Sequence, residues 1–466
     1  MGGVAQTCSL GLRLFARLTE KPRTLKDTST LPPSQRGGGG MERKALKVIA
    51  IEPYTRTPGH FEWFSARTCD GLARRGHQVT LVTYGGISPP NLPRVLSFRI
   101  VDAAPASEHE LDARLFRGKI DVRAERAFLH RQFREFRTFR CAFDIVQKEG
   151  AFDVVHFVDA YPVTLVYALH RLMNRRQTEQ TALVANLHIA PRLIPGKSLR
   201  GRPHDALFRY ALRRMISKEL DAVIVMDEIF KGEVVAHLRL SESARNKLHL
   251  FPHGMDEGKT LDDREGARRR LNLAPDETIF LLFGVLRKDK GIDVVLQAIK
   301  GLPACRLLIA GGPHDYDAAA VHQLIHARGC EAFVSTEIKY IEASRMRDYF
   351  LASDSVILPY TTEFKGQSGI LTHACAYGRS VIASNVAAVG TTIKETGMGL
   401  VVEPESADQL RAAMQQFLSL DQEARSQMEA AARAVAAARS WDSICARLDN
   451  LYDEILSRKR PGTALT

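Results

Sequence analysis

Two short stretches and one turn carry residue types suited to holding phosphate. The first is Phe283-Gly284-Val285-Leu286-Arg287-Lys288-Asp289-Lys290-Gly291. Its glycines allow tight turns, and Arg287 and Lys290 offer N–H donors to phosphate oxygens. The second runs from Thr361 to Gly369 and contains Glu363, Lys365, Gln367, Ser368 and Gly369. A Gly/Ser loop that feeds a helix points backbone N–H groups at an anion, and the helix dipole adds about 0.3–1 kcal/mol. The turn is Pro58-Gly59-His60, where Gly59 lets the backbone approach a ligand closely. Taken singly, each also reads as a solvent-facing loop or a plain turn. Two such loops at strand ends of one sheet weigh more than either alone.

These loops need strands to hold them. Apolar runs predict strands over 47–52, 78–84, 153–157, 182–187, 222–226 and 247–251, separated by helical stretches such as 61–75. The pattern then restarts, with strands over 278–284, 305–311, 332–335, 355–359 and 380–384. Helices are predicted over 292–300, 316–328, 344–352, 368–377 and 407–420. Apolar runs alternating with helices imply an α/β protein with parallel sheets covered on both faces. Two doubly wound, Rossmann-like domains result, residues 41–255 and 256–425, joined at a hinge near 252–256. Facing domains of this type bind ligands in a cleft at the carboxyl ends of their strands. Helices over 426–466 are expected to pack back on the first domain. Residues 1–40 end in four glycines and read as a disordered arm or a misassigned start at Met1, with Met41 as the true start. A transit peptide is the weaker reading.

Bulk properties narrow the class. The chain has 466 residues, 45% of them hydrophobic and 25% charged, as in a soluble globular protein. No run approaches the roughly 18–20 apolar residues of a membrane span. The net charge of +12 calls for an anionic partner, although a third of the excess lies within residues 1–40. No nucleic-acid-binding module is recognisable. The seven cysteines form no C-x-x-C pair, which argues against a disulfide framework or zinc site and for a reducing cytosol.

Several motifs in order resemble the family 4 retaining glycosyltransferases, which have the GT-B fold. They are Pro58-Gly59-His60 with Arg75-Gly76-His77-Gln78-Val79, then Asp153-Val154-Val155-His156, and then Pro252-His253-Gly254-Met255-Asp256. Gly284 to Gly291, Tyr340-Ile341 through Ser353-Asp354, and Ala374 to Ser384 follow. The resemblance covers about 47–420. It implies transfer of a sugar, with retention, from a UDP- or GDP-sugar to a saccharide, lipid-linked or small-molecule acceptor. It also implies that Arg and Lys, rather than a metal, neutralise the leaving diphosphate. Lys290 matches the family lysine, and Arg287 fits a variant of the arginine position. No cofactor beyond the nucleotide sugar is implied.

Some positions depart from the family. Two glutamates eight apart usually flank the donor loop, and here they are Lys365 and His373. Gln367-Ser368-Gly369-Ile370 resembles a "Gln-Ser-Gly-Val" branch. Donor contacts are therefore assigned to Gly59, Arg287, Lys290, Lys365, Gln367, Ser368, Gly369 and His373. On the acceptor side the candidate catalytic residues are His188 and Asp159, with a purely structural histidine as the alternative for His188 and a strand-buried role for His156. The missing glutamates also motivate a rival reading, a non-catalytic GT-B protein that binds a sugar nucleotide or a membrane surface. A GT-B phosphorylase or epimerase is a third. Residues 192–218 interleave basic and apolar side chains, which suits either a solvated helix face or a peripheral contact with the inner membrane surface or an acceptor phosphate.

Overall fold

A computed structural model describes residues 23–24, 44–53, 61–87, 97–104, 124–158, 179–188, 202–255, 263–364 and 368–461. The chain forms two compact units. The first comprises Met1–Met226, Phe230–Phe251 and Ile444–Thr466; the second comprises Asp227–Ile229 and Pro252–Ser443.

The first unit holds β1 (Arg23–Thr24), β2 (Lys47–Glu52), α1 (Phe61–Arg74), β3 (Gln78–Thr83), β4 (Arg99–Asp102), α2 (Ala124–Glu149), β5 (Val154–Phe157) and β6 (Ala182–Leu187). Then come α3 (Arg202–Arg214), β7 (Ala222–Val225), α4 (Glu228–Leu238), which starts in the second unit, α5 (Glu242–Arg245) and β8 (Leu248–Leu250). The sheet order is β1-β4-β3-β2-β5-β6-β7-β8. The seven strands from β2 to β8 pair in parallel, and β1 adds an antiparallel edge, with Arg23 opposite Asp102. Parallel strands are buried on both faces, as β5 and β6 are along their whole length.

The second unit holds α6 (Arg264–Arg270), β9 (Thr278–Phe283), α7 (Ile292–Ile299), β10 (Cys305–Gly311), α8 (Ala318–Arg328), β11 (Val334–Ile338), α9 (Ala343–Ala352), β12 (Ser355–Leu358) and α10 (Gly369–Ala376). It continues with β13 (Ser380–Ser384), α11 (Ala387–Thr396), β14 (Gly399–Val402), α12 (Ala407–Ser419) and α13 (Gln422–Ala438). Its six strands run parallel in the order β11-β10-β9-β12-β13-β14. Side chains alternate across this sheet as a period of two requires. Leu281, Val356 and Val381 face one core, while Phe280, Ile357 and Ile382 face the other.

The last helix, α14 (Trp441–Lys459), carries the chain from the second unit into the first. Within the first unit Asp449 accepts from Arg75 Nε at 3.1 Å and from His77 Nε2 at 3.0 Å. Tyr452 bonds His156 Nδ1 at 2.6 Å. Lys459 pairs with Asp221 and Arg460 with Asp153, each at 2.8 Å.

Most predicted strands form within a residue of their expected ends. β1, β4, α6, α11 and β14 lie where no element was predicted, and β1 pairs with β4 from within the stretch expected to be a disordered arm. β11 runs over Val334–Ile338 rather than 332–335. All five of its residues are half-buried at the sheet edge, so no continuous apolar run marks it.

Candidate active site

The second sheet reverses its winding between β9 and β12. Strands β10 and β11 follow on one side, and β13 and β14 on the other. Open α/β sheets bind ligands outside the carboxyl ends of strands at such a switch point. Both Gly-containing loops singled out in the sequence leave the sheet there.

Backbone geometry draws these loops together. Gly291, between the short turn Lys288–Lys290 and α7, has φ +60°. A Cβ there would stand 2.0 Å from Pro359 O. Thr361 N donates to Asp289 O at 3.0 Å, which ties the end of β12 to the loop after β9. Gly311, φ +148°, allows a similar approach, since a Cβ there would meet Gly284 O at 2.0 Å.

Lys290 sits inside this junction and is only 5% exposed. Its Nζ donates to Phe283 O at 3.1 Å and to Tyr360 OH at 3.4 Å, and lies 5.0 Å from the centroid of the Tyr360 ring. Among the described residues no carboxylate forms an ion pair with it. Burial, and then Arg287 nearby, pulls its pKa from 10.5 down to about 7, and Asp289 offsets part of this. Arg287 is half-exposed and held in a fork by Asp289, at 3.0 and 2.8 Å. That hydrogen-bonded pairing raises its pKa. Tyr360 stacks on Phe364 at 4.0 Å, and its hydroxyl lies 2.7 Å from Ser368 Oγ. Ser368, 4% exposed, caps α10 by accepting from Leu371 N at 3.2 Å. Gly369 opens the helix with nothing within 4 Å of where a Cβ would stand.

His373 follows one turn along α10, its ring 5.7 Å from that of Phe350. Burial lowers its pKa from 6.5 to about 4, which keeps it neutral near pH 7. His253 is buried against Trp441 and bonds Gly254 O at 3.1 Å. The second unit thus brings Arg287, Lys290, Ser368, Gly369 and His373 together at one end of the sheet. Lys365 and Gln367 lie outside the described residues, as do Gly59 and Asp159. Sequence reasoning missed Tyr360. Its signal was weak, a single aromatic between Pro359 and Thr361 at the end of an apolar run.

In the first unit His188 closes β6. Its Nε2 bonds Val158 O at 3.0 Å, and its ring meets Phe64 edge-on at 4.6 Å. His156 is fully buried between Asn186 and Tyr452, and burial takes its pKa to about 4. The basic stretch expected over 192–218 folds in part as α3 and the turn Met215–Glu219. Its apolar residues Phe208, Ala211, Leu212, Met215 and Ile216 belong to the core of the unit. They are therefore unavailable to a bilayer, while residues 192–201 of the stretch lie outside the described residues.

Residues 62–259 match Glycosyltransferase Family 4, and residues 263–435 match Glycosyl transferases group 1. The chain belongs to the family 4 glycosyltransferases. It is a glycosyltransferase of the GT-B fold. A D-inositol 3-phosphate glycosyltransferase from Xylanimonas cellulosilytica is 24% identical over 443 residues, covering 88% of this chain and 94% of the relative. One from Rhodococcus jostii is 31% identical over 271 residues, 56% of this chain and 55% of the relative. Among solved structures, sucrose-phosphate synthase from Thermosynechococcus elongatus superposes with a TM-score of 0.66 at 19% identity, over 88% of this glycosyltransferase and 100% of that chain. Anabaena HepE in complex with UDP superposes with a TM-score of 0.63 at 14% identity, over 88% and 100%. At these identities the two structures bear on the fold alone. No described helix of the glycosyltransferase is long and apolar enough to cross a membrane.

Proposed function

We propose that this glycosyltransferase moves a sugar from a nucleoside diphosphate sugar, UDP- or GDP-linked, to an acceptor hydroxyl with retention at the anomeric carbon and without a metal ion. The observation that carries the reading is Lys290, a buried cation at the switch point whose described partners are one carbonyl and one phenol. Such a group gains most from an anion brought to it. As the bond from the anomeric carbon to the diphosphate breaks, charge builds on the departing phosphate oxygen. Lys290, Arg287 and the amides that open α10 would stabilise that charge in a site poor in water. His373, with Lys365 and Gln367, would face the ribose and sugar. We assign Gly59 to a donor contact, and His188 and Asp159 to orienting the acceptor. The D-inositol 3-phosphate relatives favour a small phosphorylated polyol among the possible acceptors. Six described cysteines, all buried free thiols, suit a cytosolic enzyme.

Calorimetry with UDP, GDP and their sugars tests the donor. Micromolar to millimolar binding is expected, with at least a tenfold loss in Lys290→Ala. Absence of binding to every nucleotide, or an unchanged variant, overturns the assignment. Turnover that survives chelation, and an NMR signal of retained configuration in the product, would support the remaining two features.

A further inference from the structure

Proton counting around Tyr360 carries a further step, which rests on the donor reading above. An ammonium only donates, so Tyr360 OH must accept from Lys290. The phenolic proton then needs an acceptor, because Tyr360 is 1% exposed and an orphaned buried donor is costly. Ser368 Oγ, 2.7 Å away, is that acceptor. Ser368 Oγ also accepts from Leu371 N, so both of its lone pairs are engaged. Its own proton has no acceptor among the described residues, and neither does the third proton of Lys290. Two unspent donors therefore flank one phenolic oxygen, at 3.4 and 2.7 Å from it.

We propose that Tyr360 is a positioning residue that couples the charge of Lys290 to the direction of the Ser368 hydroxyl, so that one protonation presents two donors to the diphosphate. With Lys290 neutral the amine accepts from Tyr360, and Tyr360 accepts from Ser368. The serine proton then turns inward and the second donor is lost. With Lys290 charged the chain runs outward. Because Lys290 titrates near neutrality, this reversal falls in the working range. The ring of Tyr360 holds the geometry by stacking on Phe364, so its hydroxyl can be removed with little loss of packing.

The test uses the full chain with Tyr360→Phe, Ser368→Ala and the double variant. UDP, GDP and inorganic pyrophosphate are the probes, read by calorimetry from pH 6 to pH 9. Lys290 is followed in the ligand-free protein by carbon NMR at its Cε. Tyr360→Phe should weaken UDP by about tenfold at pH 6, and its affinity should fall less steeply with pH than that of the parent. Ser368→Ala should cost little more once the phenol is gone, as expected of members of one network. The Lys290 midpoint should drop in Tyr360→Phe, since the ammonium loses an acceptor. Additive losses, or a Tyr360→Phe variant with unchanged affinity, pH profile and Lys290 midpoint, overturn the proposal. If the parent binds none of the probes, the donor assignment falls, while an unmoved Lys290 midpoint still refutes the coupling by itself.

Discussion

Lys290 places a cation where the fold offers it little compensation, and stability should register this. Its folded pKa, about 7, lies below the ordinary 10.5, so the unfolded chain binds more protons across that window. Stability of the ligand-free second unit should therefore rise as pH increases from about 7 toward 10.5. Lys290→Met should remove this rise and lift the midpoint of thermal unfolding near pH 7 by a few degrees, while nucleotide binding is lost. Calorimetric unfolding scans at pH 7 and pH 9.5 check both. A variant less stable than its parent at pH 7 would count against a strained cation. Such an exchange of stability for affinity is the usual cost of a preorganised site.

At the scale of elements, the site depends on how closely two loops approach. Gly291→Ala would force a left-handed backbone on a residue with a side chain and drive its Cβ into Pro359 O. A loss of about 2–4 kcal/mol in the second unit is expected in chemical denaturation, with donor binding weakened by more than tenfold. Gly312→Ala, where a Cβ meets nothing within 4 Å, is the control and should stay near the parent. The sequence already pointed to these loops, because Gly284, Lys290, Gly291, Ser368 and Gly369 are local signals attached to strong strands. It was silent on β4 and β14, four-residue strands with too little alternation to register. It could not reveal that Lys290 is buried or that Tyr360 joins it to Ser368, because these facts arise from pairing β9 with β12. The basic stretch over 192–218 left its readings open because an amphipathic pattern does not say what its apolar face meets. In the described part of the stretch it meets the core of the first unit.

At the scale of the molecule, α14 closes the first unit. Asn186 Oδ1 accepts from His156 Nε2, which leaves Nδ1 to accept from Tyr452. Tyr452→Phe should orphan that nitrogen and cost the first unit about 1–3 kcal/mol in denaturant titrations. His156 is held neutral, with a folded pKa of about 4 against 6.5 unfolded. Stability is therefore expected to fall as pH drops from about 6.5 to about 4, and constant stability across that range would contradict its buried, uncharged state. The path of the chain has one more consequence. A ribosome releases residues in order, yet the first unit lacks α14 until residues 441–459 emerge, long after Phe251. The second unit is contiguous from Pro252 to Ser443 and has all of that span available earlier. During synthesis the usual order of maturation should therefore invert, with the later half reaching its native state first and the earlier half waiting for its final helix.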